Sequence, residues 1–164
     1  MGKECNFVKL SEYDFLQKCL AQAVFDVFEM MVGIATCQVQ TNSDHSKLQR
    51  GDITGVMMIE GERKAMLYLT LSQKNAGMIM SYMTGNDPLE LADEELYDGV
   101  AELVNMIAGR AKALLAGTSD HYTITPPFTI VGLQHYIVYK KEVSKFIMKF
   151  TAGDAELYLG ITYL

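Results

Sequence analysis

The sequence predicts an α+β fold, an antiparallel sheet packed against two long helices, with the two halves of the chain related as a repeat. Three observations carry that expectation. Residues 15–31 and 91–116 place apolar side chains at helical spacing. The intervening and following runs have strand composition and are divided by turn residues. The two helical stretches also echo one another, Phe28-Glu29-Met30-Met31-Val32-Gly33 against Val104-Asn105-Met106-Ile107-Ala108-Gly109.

The elements follow in order. Ser11, with Asp14 three residues on, is an N-cap signal. Phe15, Leu16, Leu20, Ala23, Val24, Val27, Phe28 and Met31 then form a wide apolar stripe, and Gly33 ends the helix. Residues 35–41, 52–60 and 64–71 read as strands of an antiparallel meander, with a polar loop after the first and the turn Glu60-Gly61-Glu62 after the second. Residues 72–83 read as a short helix closed by Thr84-Gly85-Asn86-Asp87-Pro88.

The longest helix, 91–116, has acids early (Asp93, Glu94, Glu95) and bases late (Arg110, Lys112), as the helix dipole favours. Gly99 reads as a break between a short helix and a longer one, and Gly117 as the terminator. Strands follow at 121–125, 128–135, 145–151 and 156–163, with Gly153-Asp154 as the last turn. The repeat extends into them: Ile53-Thr54-Gly55-Val56 matches Ile130-Val131-Gly132-Leu133 at nearly the same separation as the helices. The expected organisation is one domain over 1–164, with repeats at roughly 11–85 and 89–164.

Composition bounds the function. The chain has 164 residues, 49% hydrophobic and 21% charged, enough for a sizeable core. A net charge of -6 gives no support to nucleic-acid binding, which needs a basic face. The opening MGKECNFVKLSEYD holds no apolar run of signal or membrane-span length, and Asn6 stands where a myristoylation motif wants Ser or Thr. The expectation is a cytoplasmic protein with no membrane contact. Cys5, Cys19 and Cys37 match no zinc spacing and are odd in number, which predicts reduced thiols. No cluster suggests a metal or cofactor bound by this chain.

On a wheel of 100° per residue, Leu96, Val100, Leu103, Ile107, Ala111 and Leu114 share one arc of the long helix. Glu102 and Asn105 are surface neighbours roughly opposite, with Asp98 and Gly109 on the same stripe. Gly109 costs the helix about 1 kcal/mol relative to Ala and leaves room for another molecule beside the pair. By spacing alone, the pair is two polar residues on a solvent-facing face.

The segment Glu102-Leu103-Val104-Asn105-Met106-Ile107-Ala108-Gly109 resembles the signature helix of the CheC/CheX/FliY phosphatases of bacterial chemotaxis, Glu-x-x-Asn followed by Met-x-x-Gly. Ile124-Thr125-Pro126-Pro127 with Val131-Gly132 looks like CheX in particular, as does Ile53-Thr54-Gly55 with Tyr82-Met83-Thr84-Gly85. The resemblance spans roughly 15–163 and implies the pseudo-symmetric, duplicated CheC/CheX-like layer fold.

It also implies a phosphatase acting on the phospho-aspartate of a CheY-like receiver. Asn105 would orient the attacking water and Glu102 would dock to the receiver's active-site lysine. Asp98, Met106 and Gly109 would line the partner contact. Mg²⁺ would sit in the receiver, and the chain would be a homodimer. In the first half Asp26 and Glu29 stand at the places of Glu102 and Asn105. An ionised carboxylate at 29 cannot donate a hydrogen bond and repels a phosphoryl group, so one site per chain is expected. The alternatives are a receiver-binding module without turnover and a structural role like that of the flagellar switch proteins. The intact Glu102 and Asn105 favour the enzyme.

Overall fold

A computed structural model describes residues 15–42, 49–139 and 145–164. The Ser11–Asp14 cap lies outside them. Eleven elements follow in order: α1 (Phe15–Val27), a π turn (Phe28–Val32), β1 (Thr36–Asn42), β2 (Gly51–Glu60), β3 (Lys64–Leu71), α2 (Gln73–Thr84), α3 (Asp93–Leu114), β4 (Thr123–Ile124), β5 (Phe128–His135), β6 (Lys145–Ala152) and β7 (Ala155–Tyr163). The fold is α+β, a seven-stranded antiparallel sheet with helices on one face.

Local chemistry explains the helix ends. The Ser72 hydroxyl accepts from Asn75 N at 3.1 Å and starts α2. Ala92 N donates to Glu95 Oε2 at 2.8 Å, half of a capping box, at the head of α3. α1 ends otherwise than its stripe predicts. Gly33 N donates to Phe28 O at 2.9 Å with Gly33 at φ 77°, so the last turn widens to π geometry. Phe28 and Val32 keep contact with the core, whereas Met31 swings out and is 54% exposed.

The path through the sheet is β1-β6-β7-β3-β2-β4, with β5 also on β2. The meander expectation therefore holds only for β2 and β3. β1 pairs with β6, from Thr36 opposite Ala152 to Asn42 opposite Ile147. β5 pairs with β2, Thr54 opposite Ile130. Each half thus hands its first long strand to the other, and the pseudo-axis falls between β3 and β7. β2 is then the counterpart of β6. The segments Ile53–Val56 and Ile130–Leu133, matched above as repeats, are hydrogen-bonded neighbours and not equivalents.

Alternation sorts the side chains. Ile53, Met57, Leu67, Leu69, Phe150, Leu157 and Leu159 point to the helices and join Leu20, Val24, Leu103 and Ile107 in the main core. On the far face a smaller cluster of Val56, Tyr68 and Ile147 is covered by Ile137 and Tyr139. Gly99 does not break α3. A Cβ there would fall 2.0 Å from Met80 Sδ, so the glycine admits α2 against an unbroken helix. Cys19 is a buried free thiol.

Gly55 sets the closest approach of helix to sheet. A Cβ on it would lie 2.8 Å from Val100 O and 3.1 Å from Val104 Cγ1. Gly55→Ala is expected to cost about 1–3 kcal/mol through overpacking and to lower the melting temperature measurably. Asp52 ties β2 to two other elements: Oδ2 accepts from Gln73 N and Oδ1 from Gln134 N, each at 2.9 Å. The bond from Gln134, then that from Gln73, holds this carboxyl below its usual range. Its stabilisation is therefore present above about pH 4 and lost as pH falls through the lowered folded value. Melting curves of Asp52→Asn should lie below those of the parent at neutral pH and converge with them in acid. A gap unchanged at acid pH would contradict the assignment.

Candidate functional site

α3 buries Leu96, Val100, Leu103, Val104, Ile107, Ala108 and Ala111, the predicted arc with Val104 and Ala108 added. Leu114 is only partly buried. Asp98, Glu102, Asn105 and Gly109 run along the outer side, each within one turn of the next. Asp98 and Glu102 are exposed, and Asn105 is half-buried. No described residue hydrogen-bonds or ion-pairs with any of these three side chains. A Cβ on Gly109 would meet nothing within 4 Å, so this glycine, unlike Gly99, is not needed for internal packing. Met106 is half-buried and packs against the edge of the core.

The stripe sits on a braced helix. Thr129 Oγ1 of β5 donates to Tyr97 O at 3.1 Å, in the turn that holds Asp98. Tyr122 Oη donates to Ala108 O at 2.7 Å, beside Gly109. Burial pushes the Tyr122 hydroxyl well above the ordinary tyrosine range, so it remains a donor. Gly55 lies beneath, against Val100 and Val104. Glu102 and Asn105 therefore project from a segment fixed at both ends and from below.

The matching positions of the first half have gone elsewhere. Asp26 accepts from Arg110 Nε at 2.6 Å and from Gln22 Nε2 at 2.8 Å. The Gln22 bond, followed by that of Arg110, holds the Asp26 carboxyl low against the opposing effect of burial. Glu29 lies exposed on the π turn, outside regular α geometry. The sequence pairs Asp26 and Glu29 with Glu102 and Asn105, but does not announce the Asp26–Arg110 bridge. Its only signal is an acid and a base on two helices expected to lie side by side. Thr129 and Tyr122 carried no signal, since each acts on a backbone carbonyl.

The stripe is a ridge. One cavity is lined by Thr54, Tyr68, Thr70, His135, Tyr139 and Lys145, and another by Arg63, Asp120, Tyr122 and Tyr163; neither includes a residue of the stripe. Among the described residues no three His, Cys, Asp or Glu are grouped to hold a metal ion. No helix of the described residues is long and apolar enough to cross a membrane. His135 is bound at both ring nitrogens, to Thr54 Oγ1 at 2.7 Å and to Gly132 O at 2.8 Å, which is a structural role.

The chain is similar to chemotaxis protein CheX from Vibrio vulnificus, with 25% identity, 91% of this chain and 99% of that one covered, and a TM-score of 0.81. It is similar to a CheC-like superfamily protein from Shewanella sp. PV-4, with 26% identity, coverage of 91% and 97%, and a TM-score of 0.81. The fold is also that of CheX in a CheX–CheY–BeF3–Mg²⁺ complex from Borrelia burgdorferi, with 18% identity, coverage of 90% and 97%, and a TM-score of 0.73. Among curated proteins none matches. The profile of the family described as chemotaxis phosphatase CheX matches residues 53–151, which include most of β2 and the whole of α3 and β5. With more than half of its length matched, the chain belongs to the CheX family of chemotaxis phosphatases.

Proposed function

We propose that this chain dephosphorylates the phospho-aspartate of a CheY-like response regulator, with Asn105 orienting the attacking water and Glu102 docking to the regulator's active-site lysine. One observation carries the reading: a carboxylate and a carboxamide, unengaged by described residues, stand one turn apart on a braced ridge beside the open backbone of Gly109. A ridge bearing such groups is suited to entering another protein's pocket.

The chemistry asks for little more. An acyl phosphate is already activated and needs a water held in line. A carboxamide suits that task, its oxygen accepting from the water and its nitrogen donating to a phosphoryl oxygen. This is catalysis by positioning, without a general base. The carboxylate of Glu102 supplies a fixed negative charge for an ammonium group. Mg²⁺ in the regulator offsets the charge developing on the phosphoryl oxygens. Asp98, Met106 and Gly109 border the contact. The protein works in the cytoplasm with its regulator.

The test follows decay of a CheY-type receiver charged with acetyl phosphate and Mg²⁺. The parent should accelerate decay, and Asn105→Ala should lower the rate by about 10² or more. Glu102→Ala should lose both docking and turnover. Gly109→Ala should raise helix stability by up to about 1 kcal/mol while hindering docking. An Asn105→Ala protein as active as the parent ends the catalytic assignment.

Support for a homodimer comes from β5. Its outer edge carries no strand among the described residues, and it exposes Phe128, Val131 and Leu133, the last at 86%. Such an edge invites pairing. The parent should sediment as a dimer and Leu133→Glu as a monomer; a monomeric parent would refute this part.

A further inference from the structure

Arg110 directly follows Gly109 and rises from α3 on the flank that faces α1. Its partner there is Asp26, with Nε to Oδ2 at 2.6 Å. Asp26 is held a second time by Gln22, so the tether is itself oriented. The bond uses one of the five guanidinium donors, and 41% of the Arg110 side chain stays exposed. A bridge whose arginine end stays in contact with solvent contributes modestly to stability where helices already share an apolar core. α1 and α3 do share one, through Leu20, Val24, Leu103 and Ile107. Stability alone gives little reason for this arrangement.

Charge gives a better one. The stripe is acidic, with Asp98 and Glu102, on a chain of net charge -6. Beyond the lysine that meets Glu102, the partner proposed above is acidic at the same place. A phosphorylated aspartate with Mg²⁺ needs further carboxylates to hold the metal, so its rim is dense in negative charge. Two acidic surfaces meet poorly unless a cation stands between them. α3 has two cations, Arg110 and Lys112. Of these, Arg110 is held in place by a fixed carboxylate beside Gly109 and so loses little freedom on docking.

We propose that Arg110, tethered by Asp26, is a specificity-determining contact for the acidic rim of the phosphorylated receiver, so that the first half's remnant of the motif sets partner choice for the site in the second half. The inference rests on the phosphatase reading above. Asp26 then has a task different from that of its counterpart Glu102: it aims a neighbouring cation and meets no partner itself.

The experiment measures KM and kcat for a CheY-type receiver charged with acetyl phosphate and Mg²⁺, at low and at physiological ionic strength. Arg110→Gln should raise KM by about five- to tenfold, leave kcat within about twofold, and flatten the salt dependence of KM. Arg110→Lys should recover part of the loss, since it keeps the charge without the fork. Asp26→Asn, which leaves the cation but loosens its tether, should fall between parent and Arg110→Gln. If Arg110→Gln keeps the parent's KM and salt dependence and only its melting temperature falls, the pair is a strut and the proposal is wrong. If the parent does not accelerate decay over receiver alone, the phosphatase reading fails first and takes this proposal with it.

Discussion

Everything functional in this molecule depends on how closely α3 can lie on β2. Gly55 leaves no side chain between them, so the Val100 carbonyl and the Val104 side chain rest on strand backbone. That contact sets both the height and the roll of the helix. Once it is made, Leu103 and Ile107 must point down and Glu102 and Asn105 must point out. The bonds to Tyr97 O and Ala108 O then hold the same segment lengthwise. The positional catalysis proposed for Asn105 needs this rigidity, because a displacement of about 1 Å costs rate steeply. None of these bracing groups carries any chemistry of its own.

Much of the architecture was legible because it rests on periodicity. The apolar arc of α3 demands one buried face, and the structure supplies it, while the apolar runs of β2, β3, β6 and β7 are buried along nearly their whole length. The ridge residues were legible for a different reason: Glu102, Asn105 and Gly109 stand out only against a recognised motif context. What stayed hidden was non-local. Nothing in residues 36–42 says that they will pair with β6, since a strand's composition does not name its neighbour. Gly99 looked like a break, because the cause of its presence, Met80, comes from another element. The π turn hid likewise, as Met31 sits at a core spacing in sequence and is exposed by a wider closing bond.

The two halves differ most where their helices correspond. Both helices keep an acid at the same place, Asp26 and Glu102. The shorter acid reaches across to Arg110 and becomes a fixed part of the helix pair, while the longer one is left to the outside. Three residues on, Asn105 lies on a regular turn, whereas Glu29 lies on a widened one. The first half lacks both the amide and the backbone geometry that would present it. A single substitution at position 29 would restore only the first of these.

The exchange of strands between halves bears on how the chain comes to be folded. β1 has no partner in its own half, and its place in the sheet exists only after β6 is formed, with most of the sequence in between. The central pairing of β3 with β7 joins the halves in the same way. Such long-range pairings must meet the entropy of closing large loops before they are rewarded, and this slows the search for the native state. During synthesis the first half emerges with the open edges of β1 and β3 waiting, so neither repeat can complete itself on the ribosome ahead of the other. Neither half therefore completes its part of the sheet without the other.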